Sequence, residues 1–200
     1  QPTPTRKAVN GGIPIAVSLY RPFEREDTKM TFRLNVDYDI TDDFMMYTSV
    51  TTGHRAGGYN LVFFSKTPTY DPEELIAYEL GYKTQWLDNA LQLNGSFYYY
   101  DYDNIHTVAT EVNTFFGTST SVLPAPGAEI KGMEAEITWL ATDTLTLGGN
   151  FSYTPNEYSE DLEVLDPAGF DRPASLFGAS TSVKNINGNQ LLQVPETKFN

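Results

Sequence analysis

Cysteine is absent from the 200 residues. That excludes a disulfide scaffold, a thiolate metal site and a cysteine nucleophile. Basic charge is scarce: 13 Lys and Arg stand against 26 Asp and Glu, a net charge of −13. No basic stripe is present to displace counterions from phosphates, so nucleic acid is excluded as a partner. No apolar run approaches the roughly 18 residues of a membrane-spanning helix. The longest uncharged stretch, Val112 to Ala128, is rich in Ser and Thr and broken by Gly117, Pro124, Pro126 and Gly127. No GxSxG, HExxH, GxGxxG or GxxxxGK[ST] motif occurs. No enzyme activity, cofactor or metal site is therefore expected. Aromatics are plentiful, with 13 Tyr, 12 Phe and 2 Trp. Their spread along the chain argues against disorder.

The dominant pattern has a period of two. From Lys29 to Ile40, the even positions Met30, Phe32, Leu34, Val36, Tyr38 and Ile40 are apolar, and every odd position is polar. A helix would space its apolar residues by three and four. The same alternation runs through Ile76 to Trp86, broken only by Thr84. It recurs at Leu91 to Tyr99, at Met133 to Trp139 and at Leu145 to Tyr153. Phe44 to Thr52 is a further strand of ambiguous parity, because Phe44, Met46 and Val50 compete with Met45 and Tyr47.

The connections alternate in length. Thr41-Asp42-Asp43, Leu87-Asp88-Asn89-Ala90 and Leu140 to Thr144 are tight, and Asp and Asn suit such turns. Gly53 to Asp71, Asp103 to Ala128 and Pro155 to about Gln190 are long. Short turns at one end and long loops at the other characterise a transmembrane β-barrel. Trp86 and Trp139 each lie on the apolar parity just before a short turn, where an indole suits a membrane–water boundary. Tyr38 takes the equivalent place on the first strand, and Tyr99 and Tyr153 lie near the long loops. The expected fold is all-β: about six to seven strands of an antiparallel up-and-down transmembrane barrel. Inward charges such as Arg33, Asp37, Glu79, Lys83, Glu134 and Glu136 require a wide, polar interior.

Five ordered segments carry a family resemblance. They are Tyr47 to Asn60 (YTSVTTGHRAGGYN), Tyr70-Asp71-Pro72-Glu73, Tyr78 to Lys83 (YELGYK), Phe97 to Ile105 (FYYYDYDNI) and Ile130 to Glu136 (IKGMEAE). Together they resemble the barrel of TonB-dependent outer-membrane receptors. The resemblance implies a barrel of about 22 strands, filled by an N-terminal plug domain and embedded in the outer membrane of a Gram-negative bacterium. It implies import of a scarce nutrient, often a ferric siderophore, powered by the inner-membrane TonB complex acting on the plug. The implied partners are outer-membrane lipid, the plug, the TonB complex and a small-molecule ligand. The chain begins at Gln1 and stops in what reads as a strand just starting. It is expected to be a barrel section without its plug, with residues 1–28 as a loop and 29–153 as strands and loops. Residues 154–190 would form a long extracellular loop, and 191–200 the start of the next strand.

Candidate ligand contacts are His54, Arg55, Tyr59 and Asn60 at a loop mouth, and Tyr98, Tyr100 and Tyr102 on the inward parity. A cationic pair suits an anionic ligand, although loop charges are ordinarily hydrated. Phenols can stack on an aromatic chelate, or equally on a plug or a neighbouring strand. Gly57 and Gly58 are expected to permit a tight backbone path. The acidic run Glu157, Glu160, Asp161, Glu163, Asp166 and Asp171 lacks a calcium-loop spacing and is expected to be a solvated, mobile face. His106 stands alone in the sequence. Two other functions share the alternation. A soluble β-sandwich, for example one binding carbohydrate, would converge its apolar residues on one core. A passive porin would share the barrel but not the five segments. The barrel reading predicts that Leu93→Arg costs about 2–4 kcal/mol near the midplane, while Asn94→Arg is tolerated. Urea unfolding of the membrane-inserted barrel measures both.

Overall fold

A computed structural model describes residues 24–60, 68–113, 117–166 and 183–200, without side-chain detail at 111–119. The strands are β1 (Arg33–Thr41), β2 (Phe44–Arg55), β3 (Gly58–Tyr59), β4 (Thr69–Tyr70), β5 (Glu73–Trp86) and β6 (Leu91–Asn113). They continue with β7 (Gly117–Thr142), β8 (Leu145–Tyr153), β9 (Asn156–Tyr158), β10 (Glu163–Leu165), β11 (Val183–Asn185) and β12 (Thr197–Phe199). One sheet runs in the order β1-β2-β5-β6-β7-β8-β12, with β9 added to β7. Every pairing in it is antiparallel. The first strand starts later than the alternation suggests. Phe32 nevertheless already bonds β2, its carbonyl accepting from the Thr52 amide at 2.9 Å.

The tight turns form as the Asp and Asn content predicts. Leu87, Asp88 and Asn89 take φ of 56°, 54° and 69°, and the Ala90 amide closes the turn on the Leu87 carbonyl at 3.0 Å. The ladder shifts register between Asp39 and Thr41 and between Leu140 and Thr142. Such a bulge strengthens twist next to a hairpin turn.

Register settles the two faces. Trp86, Leu91, Trp139 and Leu147 are neighbours in one row, and Leu80, Phe97 and Met133 in another. The opposite face carries Glu79, Asn94, Ser96, Glu134 and Ser152. The ambiguous strand is resolved too: Met46 pairs with Tyr38 and Tyr82, and Val50 with Leu34 and Tyr78. Phe44, Met46 and Val50 therefore share the apolar face, and Met45 and Tyr47 the polar one. Leu80, Ile137 and Leu147 remain 47%, 42% and 47% exposed. They line up on one side of a single layer, which excludes the sandwich. Thr84, the exception in the β5 pattern, donates to the Leu93 carbonyl at 2.7 Å and accepts the Trp86 indole N–H at 2.9 Å. It satisfies the one polar group of an otherwise apolar ring.

The expectation of a loop over Asp103 to Ala128 is corrected. β6 and β7 continue as a two-stranded tongue, with Asn113 pairing Gly117. Both faces of this ribbon lie outside the alternating apolar band, so Ser, Thr and Pro replace the pattern that announces a strand. The ladder skips Asn104 and Pro126, and Asn104 has φ of 54°. Tyr102 and Ile105, of opposite parity, pack on the same cluster, as do Ala128 and Ala125. The irregularity thus inverts which residues point inward. That cluster, Ala125, Ala128, Tyr158 and Leu191, is the buried hydrophobic core among the described residues. It joins the tongue to the chain after β8.

Two glycines let tyrosines lie flat on the polar face. The three atoms nearest a Cβ on Gly81 all belong to the Tyr47 phenol, whereas a Cβ on Gly132 would strike the Tyr98 ring and lie 2.8 Å from the Tyr153 carbonyl oxygen. A ring can rotate away and a ladder carbonyl cannot. Gly132→Ala is therefore expected to cost about 1–3 kcal/mol and Gly81→Ala clearly less, measured by urea unfolding of the folded barrel.

Candidate functional site

The polar face carries a column of phenols on β6. Tyr98 and Tyr100 stack with centroids 4.9 Å apart and planes at 29°. Tyr98 also shares a hydrogen bond with Thr154 Oγ1 at 2.8 Å. Tyr102 belongs to the packing around the small core. Tyr47, which was not singled out in the sequence, donates to Glu79 at 2.6 Å, with Lys83 Nζ 6.0 Å from its ring centre. Its signal was present as an aromatic on the polar parity, hidden by the ambiguity of β2. A recess of about 380 Å³ opens beside it, lined by Asn94, Ser96, Glu134, Glu136 and Lys198 among others. Glu134 and Glu136 thus share their surroundings with a cation from β12, the neighbour of β8.

The loop-mouth residues differ in their partners and burial. Asn60 is buried. Its amide donates to the Val122 carbonyl and accepts the Val122 N–H, both at 2.8 Å. A side chain here completes the ladder along the open side of β7. Pro124 shares the parity of Val122, so its missing N–H also faces that open side and costs no ladder bond. Tyr59 pairs with Thr69 in the β3–β4 ribbon. Arg55 is exposed and pairs in register with Glu73. His54 has both ring nitrogens buried without a hydrogen-bond partner among the described residues. Gly57 does hold a tight path: its amide donates to Asp27 at 3.1 Å, and a Cβ there would strike the Tyr70 carbonyl.

His106 is not alone in the fold. Its Nε2 lies 2.7 Å from the Asp71 carbonyl, which can only accept, so Nε2 carries the proton. Its backbone amide donates to Glu73 at 2.7 Å, and Tyr70 meets its ring edge-on at 4.9 Å. Sequence separation conceals this clasp between β4, β5 and the tongue. In the acidic segment after β8, Glu157, Glu160, Asp161 and Glu163 are exposed, as a solvated face requires. Asp161 accepts from Asn185 and Asn187 at 2.7 and 2.9 Å, beside the β10–β11 hairpin. Asp171 and Arg172 lie outside the described residues. Among the described residues no group of three His, Asp or Glu is placed to hold a metal. No helix there is long and apolar enough to cross a membrane, which leaves strand crossing untouched.

Two acids outside the strands have defined electrostatics. The Arg25 guanidinium, bonded at 2.7 Å, holds the Asp27 carboxyl below its ordinary value, assisted by the Gly57 amide. The amides of Asn185 and Asn187 depress Asp161 likewise.

The expected interface aromatics Tyr38, Trp86, Tyr99, Trp139 and Tyr153 all lie on the apolar face by register. Tyr38 sits in the row of Tyr82 rather than that of Trp86. A single antiparallel layer, apolar on one side and charged on the other, is a section of a membrane β-barrel wall. Residues 5–200 match the family model "TonB dependent receptor-like, beta-barrel", and the chain belongs to that family. The pesticin receptor of Yersinia pestis is 26% identical over 163 residues, covering 80% of this chain and 23% of that protein. A probable TonB-dependent siderophore receptor, PiuA of Acinetobacter baumannii, is 22% identical over 174 residues, covering 84% and 21%. The crystal structure of the siderophore receptor PiuA superposes with a TM-score of 0.59 at 18% identity, over 84% of this chain and 22% of that one. That of the ferric yersiniabactin uptake receptor FyuA from Yersinia pestis gives 0.50 at 23%, over 63% and 18%. The chain spans less than a quarter of the length of these curated relatives.

Asn60→Ala removes both bonds to Val122 and is expected to cost about 1–3 kcal/mol locally, read as faster hydrogen exchange at Val122. The Asp161 clip follows proton linkage. A depressed carboxyl contributes stability above its ordinary value of 3.8, lost as pH falls through the lower folded value. Exchange at Leu162 and Asn187, corrected for intrinsic rates, should stay slow from neutral pH to about 4 and rise below it.

Proposed function

We propose that this chain is part of the barrel of an outer-membrane receptor of a Gram-negative bacterium that imports a scarce nutrient, a ferric siderophore or a similar chelate. Its long-loop end faces outward. The polar face lines a lumen that houses an N-terminal plug, and the TonB complex powers transport through that plug. Tyr38, Trp86 and Trp139 anchor one membrane interface, and Tyr99 and Tyr153 the other. Among the ligand candidates, Tyr100 and Arg55 are the ones we assign to direct contact, while Tyr102 packs on the small core. His54 and Tyr59 shape the loop mouth, while Tyr98 and Asn60 hold the wall and loops in place.

The observation that carries this reading is the stacked phenol pair on a charged wall, within a chain of the receptor family. A passive pore gains nothing from stacked rings on its wall, whereas a chelate with aromatic arms does. The barrel closes every backbone hydrogen bond, so the wall is rigid and specificity falls to side chains at its upper rim.

The test uses a Gram-negative strain that lacks the complete receptor and grows under iron limitation. Labelled ferric chelates are supplied, and uptake is followed with and without the receptor. Uptake should require both the receptor and an active TonB complex. Uptake that persists without TonB would mean diffusion through a pore. Tyr100→Ala should weaken binding of the transported chelate by about 1 kcal/mol, measured by titration of the purified receptor.

A further inference from the structure

Arg55 and Glu73 face each other across the last pair of the β2–β5 ladder. Residues directly opposite in an antiparallel pair share a face, and opposite charges placed so ordinarily join. These two do not. Among the described residues Arg55 takes part in no ion pair, and it stands exposed. Glu73 is engaged elsewhere. Its Oε2 accepts the His106 backbone N–H at 2.7 Å and lies 4.0 Å from His106 Nδ1.

The cause lies in the ladder. β5 begins at Glu73, and Asp103 is the last β6 residue paired with it. Beyond that point the His106 amide has no strand to bond on this side, and the Glu73 carboxylate takes it. An amide withdrawn from water is costly to leave unbonded, so Glu73 is held there. The other acids beside Arg55 are engaged as well. Asp27, which accepts the Gly57 amide, is bonded by Arg25 at 2.7 Å. Glu74, opposite His54, pairs with Lys29 at 2.6 Å. Arg55 therefore keeps an uncompensated charge at the loop mouth.

We propose that Glu73 is a positioning residue for ligand capture. By holding Glu73, the His106 amide of the tongue keeps Arg55 open to an anionic group of the ligand. Once the amide lets go, Glu73 pairs with Arg55 and closes that site. Docking of the tongue thus sets the charge that the ligand meets. This rests on the receptor reading above, which assigns Arg55 to ligand contact, and adds the carboxylate that controls it.

The complete receptor in phosphatidylcholine nanodiscs is treated with p-hydroxyphenylglyoxal. Modification of Arg55 is timed by peptide mass spectrometry, with Arg25 as the reference in the same sample. The reagent attacks the neutral guanidine, a form that a paired carboxylate suppresses. H106P removes the amide donor. That N–H serves Glu73 rather than β7, and its register partner is Pro124, so the ladder loses no bond. H106A removes the imidazole and keeps the amide. Labelling of Arg55 should fall about threefold in H106P, the scale of an exposed ion pair. It should stay near wild type in H106A and return to wild type when E73Q is added to H106P. E73Q alone should change it little. Pyrophosphate at low ionic strength should protect Arg55 in the wild type and fail to do so in H106P.

E73Q that accelerates labelling equally with and without H106P means that the pair already exists, and overturns the proposal. So does labelling that H106P leaves unchanged, or that H106A lowers as far as H106P does. A wild-type Arg55 that pyrophosphate fails to protect overturns it too. Should H106P fail to insert, E73Q alone decides: faster labelling of Arg55 overturns the proposal, and unchanged labelling supports it. If the proposal falls while TonB-dependent uptake persists, the receptor reading stands. If uptake proves independent of TonB while Arg55 follows the expected pattern, only the receptor reading falls.

Discussion

A peptide group inside hydrocarbon has no water to bond, and each unpaired N–H or C=O there costs several kcal/mol. Strands can cross a membrane only by bonding their neighbours along the whole crossing. In this chain β2, β5, β6 and β7 each have a partner on both sides throughout the alternating band. The remaining features of the band follow from that ladder. Antiparallel pairing needs only short connections, so three hairpin turns suffice at one end. The pleat sends alternate side chains to opposite sides, so lipid and water can be served by a single layer. No packed core is required, and none is found within the band among the described residues.

The long-loop end obeys a different constraint. Outside the membrane, backbone groups can be satisfied by water or by side chains, and apolar groups must be hidden from water in the ordinary way. The change of regime coincides with Asn104 and Pro126, where the ladder skips a pair and the inward face switches. Beyond that point a small core holds the tongue to the chain after β8. Asn60 supplies with one amide what a neighbouring strand would supply with two backbone groups. It also blunts an exposed strand edge, which otherwise invites unwanted pairing. Segments built this way are shaped by packing and clamps, so their side chains can vary without disturbing the wall.

The band was legible in the sequence because lipid and water impose opposite demands at successive positions. Leu91 to Tyr99 could hardly be read otherwise. The parity of β2 was not legible, because Met45 and Tyr47 are apolar enough to pass for lipid-facing residues; only pairing with Leu34, Tyr38 and Tyr78 decides it. Thr84 looked like a flaw until its hydroxyl was placed against the Trp86 indole. The tongue was hidden because neither face meets lipid, and its prolines read as breakers. The roles of Asn60 and His106 depend on partners 62 and 35 residues away. No local pattern reports such partners. The tyrosine column was visible by parity alone, but the division of labour between Tyr98, which is tied to Thr154, and its neighbours was not.

The central claim is that successive residues of one strand meet lipid and water in turn. Residues 1–200 carry no cysteine, so once any cysteine elsewhere in the complete, membrane-inserted receptor is replaced by serine, single cysteines can be placed at each position from Leu91 to Tyr99 and spin-labelled. Power saturation then compares collisions with oxygen, which dissolves in lipid, and with a water-soluble nickel chelate. Odd positions should favour oxygen and even positions the nickel chelate, with a period of two across the whole segment. A flat profile, or oxygen favoured at Asn94, Ser96 and Tyr98, would contradict the assignment of the two faces.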